Sequence, residues 1–542
     1  MAKTLVKYSL QKENDPLFSI LEETDDNFFV TGRAGTGKST LLRDFVQKTR
    51  KNVVVLAPTG LAAVQVEGQT IHSFFRLPPG IISDEELDKE RHDSIYKNVD
   101  TLIIDEISMV RADLFDAMDR IMRRCKISEK PFGGTQLILF GDMFQLPPVA
   151  GPQEKAFLSQ EYESLYFFGS SAFEALDIAV VELSTVFRQK DEEFIGFLDR
   201  VRTHDIEEDD IEYINQRAVY SPKERVPDNF VILATKNFMV DAYNRERLNE
   251  LLGNPYTYDA NFSGEFKETE APTEISLTLK KGARVIFLRN DKEGMWVNGS
   301  LGTITELNDH NVEVKLDDSE YPIKVRKTKW TKSKYKLSKK KIITEETGSF
   351  EQLPLRLAWA MTIHKSQGQT IEKLFLDLTS APWEHGHVYV ALSRCRSING
   401  LLLRQRLSYQ DIIVDPSIID FFTFLSKPIV KESLTTGTIR ISGMQEDALK
   451  DIYLRALDNF QKLGYDYSPD FRFNGNGEFS IKENGRSRCG LYSHFRDLVE
   501  QYGRKKDLRV NIQFFDCNIR QHADEKPGVK GWYESLQRKL KV

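Results

Sequence analysis

The amino-acid sequence predicts an α/β protein with two parallel-sheet domains, a small β-barrel inserted into the second of them, and an α+β C-terminal domain. Three observations support this prediction. Compact apolar runs alternate with helical patterns up to about residue 178, and the same alternation resumes from about 179 to 430. Short alternating strands interrupt the second region at 282–352. Because such apolar runs are typical of buried parallel strands, both regions are expected to contain parallel sheets.

The first parallel sheet is predicted from four apolar runs that end in Gly, Pro or acidic residues. These runs are NFFVTG at 27–32, NVVVLAP at 52–58, TLIIDE at 101–106 and QLILFGD at 136–142. Residues 113–125 place Leu114, Met118 and Ile121 on one face, as an amphipathic helix does. Strands connected through such helices run parallel, so functional side chains are expected where the strands end.

The second region repeats the pattern around an antiparallel insertion. Its parallel strands are predicted at AVVELSTVF (179–187), FVILATKN (230–237) and KLFLDL (373–378). The insertion contains short alternating runs separated by the turn residues Asn298-Gly299 and Asn308-Asp309. Alternation of this kind, with frequent turns, predicts a small β-barrel.

The last region, 431–542, is predicted to be a separate domain of unknown role. A helix is expected at 445–463, followed by a turn rich in Gly and Asn at 474–477. The length of 542 residues allows three or four domains in all. A protein partner for this C-terminal domain is left open.

Composition excludes several classes of protein. No run of about 18 apolar residues predicts a membrane span, and Met1–Gln11 lacks the apolar segment of a secretion signal. The four cysteines are far apart, which indicates a reducing, cytoplasmic location without a disulfide framework. A net charge of −6 argues against a protein that coats nucleic acid with its whole surface, although it allows a basic channel.

A glycine-rich segment after the first strand predicts a phosphate site. GRAGTGKS at 32–39 matches the pattern GxxxxGK[ST], with a strand before it and a helical run after it. Backbone N–H groups of such a loop surround phosphate oxygens, Lys38 would face the β- and γ-phosphates, and Ser39 would ligate Mg²⁺. The residues predicted to hold ATP here are Gly32, Ala34, Gly35, Thr36, Gly37, Lys38, Ser39 and Thr40.

Two carboxylates follow the strand at 101–104. Asp105 is predicted to hold Mg²⁺, and Glu106 to orient and deprotonate the attacking water. A solvated turn is the alternative, but the phosphate loop upstream disfavours it. Together the two motifs predict an ATPase or GTPase, and they do not say what hydrolysis drives.

Six further segments occur in a recognisable order. They are APTGLAA (57–63), TIHSFF (70–75), GDMFQLPPV (141–149), VFRQ (186–189), MTIHKSQGQT (361–370) and VYVALSRCR (388–396). Together with the phosphate loop, this set resembles superfamily 1 helicases of the PIF type (petite integration frequency), which are relatives of RecD-like motors. The resemblance implies RecA-like domains 1A (1–178) and 2A (179–430), a small 1B wedge at about 76–98, and an SH3-like 2B barrel at 282–352.

The resemblance also implies roles around the nucleotide. Gln145 would sense the γ-phosphate, Arg188 would act as an arginine finger, and Arg394 would be a second γ-phosphate arginine. Gln367 and Gly368 would lie towards the nucleotide. The family binds adenine through a glutamine motif, and Gln11 with its flanking residues fits that motif poorly. The base specificity is therefore left open.

DNA contacts are implied in both domains, although Phe74 could instead be core. His385, His387 and Tyr389 are expected to be structural. Trp330, Tyr335 and the lysines around them suit single-strand binding, with a solvated charged hairpin as the alternative. The implied DNA-binding residues are Pro58, Thr59, Gly60, His72, Ser73, Phe74, Asn237, Thr362, His364, Lys365 and Ser366.

The expected function is an ATP- and Mg²⁺-dependent helicase that acts as a monomer on single-stranded DNA and on junctions with duplex. Movement from 5′ to 3′, and roles in DNA repair, recombination and telomere maintenance, rest on the resemblance. A bacterial cytoplasm is favoured over a nucleus. The alternatives are a translocase that does not separate strands, an RNA helicase, and a non-motor P-loop scaffold ATPase.

Overall fold

The computed structural model describes residues 5–10, 15–78, 80–88, 94–189, 191–218, 225–291, 293–309, 311–380, 384–426, 433–442, 447–448, 451–452, 470–475, 478–485 and 511–521. The chain divides into two compact units, one within residues 1–427 and the other within 428–534. Each is described separately.

A seven-stranded parallel sheet forms the first lobe of the larger unit. Its strands are β1 Leu5–Tyr8, β2 Asn27–Gly32, β3 Val53–Ala57, β4 Gln69–Thr70, β5 Thr101–Ile104, β6 Gln136–Phe140 and β7 Ile178–Leu183. Their order across the sheet is β1-β7-β2-β6-β5-β3-β4, and every pairing is parallel. Every residue of β5 and β6 is buried, as expected for strands covered on both faces. The predicted parallel sheet is confirmed, with one correction: the run at 179–187, predicted as a strand of the second domain, supplies β7 of the first sheet, between β1 and β2.

Helices cover this sheet, and the longest is the predicted amphipathic one. It runs from Ala112 to Lys126 and buries nine residues against the core. The helices of this lobe are α1 Pro16–Glu23, α2 Lys38–Lys48, α3 Gly60–Gln65, α4 Ile71–Phe75, α5 Asp84–Asp88, α6 Ser94–Asn98, α7 Ala112–Lys126, α8 Pro152–Glu161 and α9 Ser171–Ala175.

The chain enters the second lobe through two helices, a strand and a third helix, and then leaves it for the insertion. These elements are α10 Glu192–Thr203, α11 Glu208–Ala218, β8 Val231–Ala234 and α12 Asn237–Glu250. Strand β8 is fully buried and lies inside the second sheet.

The insertion is antiparallel and begins upstream of the predicted boundary at 282. Its strands are β9 Tyr256–Asp259, β10 Asn261–Gly264, β11 Ser276–Leu279, β12 Arg284–Phe287, β13 Leu301–Leu307, β14 Val312–Leu316, β15 Pro322–Val325, β16 Thr328–Ser338, β17 Lys341–Gln352 and β18 Leu355–Leu357. Five of them form the sheet β15-β14-β13-β12-β18 around a buried apolar core of their own. The antiparallel insertion agrees with the prediction, and its SH3-like form stays a prediction.

A second parallel sheet completes the larger unit. The chain returns with β19 Ala360–Thr362, β20 Leu374–Asp377, α13 His387–Leu392, β21 Leu401–Leu403 and α14 Pro416–Ser426. The order is β19-β8-β20-β21, with all pairings parallel. Since β19 pairs directly with β8, the insertion leaves and rejoins the sheet at neighbouring strands.

The long hairpin β16–β17 reaches back to the first lobe. The Tyr335 hydroxyl accepts from the Val55 N–H at 2.9 Å and donates to the Val55 carbonyl at 3.3 Å. The Asn52 side chain donates to the Lys340 carbonyl at 3.1 Å and accepts from the Ile342 N–H at 3.2 Å. The hairpin is therefore fixed to β3 and to the residue before it by backbone-directed hydrogen bonds.

The smaller unit contains one antiparallel sheet. Its strands are β22 Ser433–Ser442, β23 Asp470–Gly475, β24 Glu478–Gly485 and β25 Asn511–Gln521, in the order β23-β24-β22-β25. Most of the predicted helix at 445–463 lies outside the described residues. Among the residues that the structure describes, no helix is both long and apolar enough to cross a membrane.

Candidate active site

The predicted phosphate loop joins β2 to α2. Gly37 caps the helix in the left-handed conformation, with φ 93°, and Lys38 is the first helical residue. The Lys38 ammonium donates to the Gly32 carbonyl at 2.6 Å and to the Arg33 carbonyl at 2.9 Å. Burial lowers the pKa of Lys38, and the nearby carboxylates of Asp142 and Glu106 oppose that shift. The loop thus holds a cation at the base of a concave backbone, where phosphate oxygens could replace the carbonyls.

Gly35 brings the second lobe's entry segment onto this loop. Its φ is +82°, and a Cβ atom there would lie 2.5 Å from the Cβ of Arg188. The Phe187 N–H donates to the Gly35 carbonyl at 2.9 Å. Only glycine combines this backbone conformation with so close an approach, so the loop sequence also sets the position of the predicted arginine finger.

The two carboxylates lie where β5 ends. Burial raises the pKa of Asp105, and burial together with the neighbouring Asp105 raises the pKa of Glu106, while Lys38 opposes both shifts. Glu106 has φ 50° and ψ 45°, a left-handed conformation that non-glycine residues adopt mainly under constraint. A carboxylate with a raised pKa is a stronger base, which suits the deprotonation of water.

Asp142, which follows β6 as Asp105 follows β5, is the centre of a buried polar network. It accepts from Gln145 Nε2 at 3.3 Å, from the Tyr389 hydroxyl at 3.1 Å and from Arg202 Nε at 3.1 Å. Burial alone would raise the pKa of Asp142, but Arg202 and Lys38 outweigh it and hold the pKa below its ordinary value. Neither Asp142 nor Arg202 is assigned a role from the sequence.

Tyr389 connects this network to the phosphate loop. Its hydroxyl accepts from the Ala34 N–H at 3.2 Å while donating to Asp142. The side chain is buried, and burial raises the pKa of Tyr389, so the hydroxyl stays protonated and able to donate. Besides packing, Tyr389 therefore joins helix α13 of the second lobe to two segments of the first by hydrogen bonds.

The two predicted arginines lie close together, Arg394 buried and Arg188 half-buried. Arg188 donates to the carbonyls of Ser393 at 3.2 Å and Gly368 at 3.4 Å. Arg394 donates to the Val390 carbonyl and to Ser393 Oγ, both at 2.9 Å. Burial lowers the pKa of Arg188 to about 9, with Arg394 adding to that shift, and burial lowers the pKa of Arg394 to about 10. Two guanidinium groups held this close would favour an anionic partner.

Side chains from both lobes also meet at the predicted sensor. Gln367 Nε2 donates to Gln145 Oε1 at 3.3 Å. Ser39 and Thr40, in the first turn of α2, have exposed side chains, whereas Thr36 is buried and its hydroxyl donates to the Arg33 carbonyl at 2.9 Å. The residues predicted around the nucleotide therefore converge from two sheets, although their individual roles stay predictions.

A pocket of about 360 Å³ lies in the second lobe beside this site. It collects most of the DNA contacts predicted there: its lining is Thr235, Lys236, Asn237, Thr362, His364 and Lys365. Ser366 is an exception, because its side chain is fully buried and its hydroxyl donates to the Ile363 carbonyl at 2.7 Å. Its predicted phosphate contact is corrected to a structural role in the turn.

The first-lobe residues predicted to contact DNA lie around the start of α3 and on α4. Thr59 caps α3 by accepting from the Ala62 N–H at 3.2 Å, next to half-buried Pro58 and Gly60. His72 is half-buried and Ser73 is exposed. Phe74 is only 7% exposed, and its ring packs on Phe75, Tyr96 and Tyr335, with centroids 5.0, 5.3 and 6.0 Å away. The predicted stacking role of Phe74 is corrected to core packing.

The inserted hairpin does not present the predicted stacking aromatics. Trp330 is 5% exposed and packs on Phe350, with ring centroids 5.6 Å apart, and Tyr335 is docked on the first lobe. Four of its lysines pair with neighbouring carboxylates, in the ion pairs Lys329–Glu346, Lys332–Glu270, Lys334–Glu265 and Lys336–Glu345. The alternative reading, a solvated charged hairpin, describes this segment better.

The chain is similar to known helicases of the type that the sequence motifs indicate. A family model described as PIF1-like helicase matches residues 12–210. The ATP-dependent DNA helicase Pif1 of Bdellovibrio bacteriovorus is 34% identical over 421 residues, which covers 74% of this chain and 89% of that protein. Bacteroides sp. Pif1 in complex with ADP-AlF4 has a TM-score of 0.69 at 36% identity, covering 75% of this chain and 95% of that one.

Bacteroides Pif1 bound to single-stranded DNA is also similar, with a TM-score of 0.55 at 36% identity, covering 76% of this chain and 97% of that one. Identity at this level over nine-tenths of a curated relative, with the motifs folded into one site, leaves a single assignment. The chain belongs to the PIF1-like helicase family.

Proposed function

We propose that the protein is an enzyme that uses ATP hydrolysis to move along single-stranded DNA and to separate the strands of duplex or structured DNA. One observation supports the proposal: the charges of Lys38 and Glu106, of Glu106 and Arg394, and of Arg394 and Arg188 interact, and Gln145 contacts Gln367 of the other lobe. The similar Bacteroides Pif1 structures, one in complex with ADP-AlF4 and one bound to single-stranded DNA, support both ligands. The proposed direction of movement, from 5′ to 3′, rests on the resemblance to the family.

The residues present fit Mg²⁺ as the companion of ATP. Mg²⁺ prefers oxygen ligands and is commonly held by one carboxylate and one hydroxyl together with phosphates. Asp105, buried at the end of β5, and Ser39, at the start of α2, supply such groups. The bound ion would neutralise charge on the phosphates.

Hydrolysis is assigned to the protein's own charged groups. Glu106 would orient the attacking water and take its proton, and Lys38 would neutralise the β- and γ-phosphates. Arg188 and Arg394 would stabilise charge that develops in the transition state, an effect worth roughly 10³–10⁵ in rate for an arginine finger.

Coupling to DNA follows from a short stretch of chain. Gln367, which contacts the predicted γ-phosphate sensor Gln145, directly follows the turn His364–Ser366. His364 and Lys365 line the proposed DNA pocket. A change at the γ-phosphate that moves Gln367 would therefore shift groups that touch the DNA backbone.

Replacing Lys38 tests the proposal. K38A should abolish DNA-stimulated ATP hydrolysis and unwinding, because the phosphates lose their cation, while single-strand binding persists. Lys48 lies on the same helix with an exposed side chain paired to Asp44, so K48A is a matched control that should behave as wild type. Hydrolysis that survived in K38A would contradict the assignment.

A strand-displacement assay with 5′-tailed and 3′-tailed duplexes, in DNA and in RNA, separates the alternatives. Unwinding of the 5′-tailed DNA alone is the expected result. ATP-driven movement without displacement would indicate a translocase, and displacement only on RNA would indicate an RNA helicase.

A further inference from the structure

Three potential metal ligands meet at one edge of the DNA pocket. His364 Nε2 lies 4.0 Å from Glu384 Oε2, and His387 Nε2 lies 3.9 Å from the same oxygen. The two imidazole rings are perpendicular, with centroids 5.1 Å apart. One ligand atom from each of the three residues lies within 4.8 Å of the others.

The fold, and not sequence proximity alone, creates this cluster. His364 comes from the turn after β19, whereas Glu384 and His387 precede and begin α13. The side chains of His387 and Glu384 are 0% and 11% exposed, and that of His364 is 37% exposed towards the pocket. His385, between them in sequence, instead contacts the Met143 carbonyl at 3.0 Å and accepts from the Asp415 N–H at 2.9 Å.

The chemistry of the three groups suits a borderline transition ion. Two imidazole nitrogens and one carboxylate oxygen form a recurring ligand set for Zn²⁺, with one coordination position left open. Bond lengths of about 2.0–2.2 Å place ligand atoms about 3.3 Å apart around a tetrahedral ion. Small side-chain rotations would close the observed separations to that value. Mg²⁺, which prefers oxygen ligands, would not compete well here.

We propose that His364, Glu384 and His387 form a site for one Zn²⁺-class ion, distinct from the Mg²⁺–ATP site, and that the bound ion opposes DNA binding. The first part stands on the cluster alone. The second part rests on the proposed function, because His364 also lines the pocket assigned to the DNA backbone. An imidazole fixed by a metal ion could no longer turn towards a phosphate.

Titration of the full chain with Co²⁺, in excess Mg²⁺, tests the site through the visible absorption of tetrahedral cobalt. One ion should bind per chain. H387Q and E384Q should each weaken binding at least about tenfold, since even the loss of a group that supports a metal ligand costs 10–100-fold. H204Q is the matched control, because His204 packs beside Tyr409, outside the cluster, and should bind as wild type.

Thermal unfolding of each variant checks that it is folded, and Zn²⁺ should raise the midpoint for wild type and H204Q but not for H387Q. Wild type that binds Co²⁺ no more tightly than folded H387Q would overturn the site.

The coupling is tested by measuring the affinity of wild type and H387Q for single-stranded DNA with and without Zn²⁺. Zn²⁺ should weaken binding by wild type and leave H387Q unchanged, and equal effects on both would overturn the coupling. Absence of DNA binding without Zn²⁺ would instead contradict the proposed function, while the cobalt titration would still decide the metal site.

Discussion

At the scale of single residues, charge and burial set most of the predicted chemistry. Lys38, Glu106 and Asp142 occupy one buried volume, where the shift in each pKa depends on the neighbours' charges. The motif sequence identified the first two through their spacing. Asp142 pairs with residues 60 and 247 positions away, so its partners could not be read from local sequence. Its place after β6, which parallels that of Asp105 after β5, was the available signal.

Two site residues were predicted wrongly for a related reason. A motif places Phe74 and Ser366 near the DNA, but it does not say which side chains turn inwards. The structure buries both.

Replacing Glu106 with Gln should separate catalysis from stability. Hydrolysis should fall by about 10²–10⁴, the range for general acid–base catalysis, while ATP binding persists. Because the pKa of Glu106 is raised in the folded protein, its ionisation destabilises the fold as pH rises above about 4.3, the unfolded value, towards the raised one. At pH 8 the unfolding free energy of E106Q should therefore exceed that of wild type by an amount on the order of 1 kcal/mol. E106Q should accordingly unfold at a higher temperature.

The advantage of E106Q should vanish near pH 4, where both side chains are neutral. In wild type, hydrolysis should fall as pH decreases through the raised pKa, above the range of an ordinary glutamate. Thermal melts across pH and a pH–rate profile measure the two effects, and a melting difference independent of pH would contradict this account.

Removing the Tyr389 hydroxyl should weaken the link between the lobes. Y389F leaves the Ala34 N–H without its acceptor and Asp142 without one donor, which should cost about 1–3 kcal/mol in the unfolding free energy. The maximal hydrolysis rate should fall as well, because the network that positions the phosphate loop and Gln145 is loosened. The exposed Tyr409 provides the control Y409F, and urea unfolding with steady-state kinetics gives the comparison.

At the scale of elements, the strands were the most predictable part of the fold. Runs such as 101–104 are apolar throughout because both faces of a parallel strand are covered. The insertion was predicted from alternation, yet its first strands, β9 and β10, were missed because most of their residues are exposed and the pattern there is weak. The docking of β16–β17 on the first lobe depends on contacts with residues about 280 positions away, which no local pattern encodes.

The hairpin contact predicts a measurable stability effect. Y335F removes the acceptor of the buried Val55 N–H and should lower the unfolding free energy by about 1–3 kcal/mol. Hairpin cleavage by a protease should also become faster, because the strands are held less firmly. Y321F, at a tyrosine that is 76% exposed in the same insertion, should change neither measurement. Equal protection of Y335F and wild type would show that the hydroxyl contributes little.

At the scale of the whole molecule, every residue assigned to hydrolysis and to DNA contact lies in the unit within residues 1–427. That unit contains its own extensive apolar core. The C-terminal region was recognised from sequence as separate, but its role was not, because it carries no motif with a known chemistry. The strands described in it form one antiparallel sheet.

A chain that ends at Ser426 should therefore keep its DNA-stimulated hydrolysis, with a rate per molecule equal to that of the full chain. Steady-state assays of the two proteins, together with thermal unfolding, make the comparison. A truncated protein that is folded but inactive would show that the C-terminal region takes part in the catalytic cycle.

The turn His364–Ser366 has a mechanical consequence. Gln367, which contacts the predicted γ-phosphate sensor Gln145, directly follows this turn, and His364 and Lys365 of the turn line the pocket proposed to hold DNA. The proposed nucleotide and DNA contacts therefore lie on neighbouring residues. Few residues therefore separate the proposed nucleotide contact from the proposed DNA contact, so little motion would be lost between them. The step size of the motor should therefore depend more on the stiffness of this turn than on the length or flexibility of segments attached to the motor.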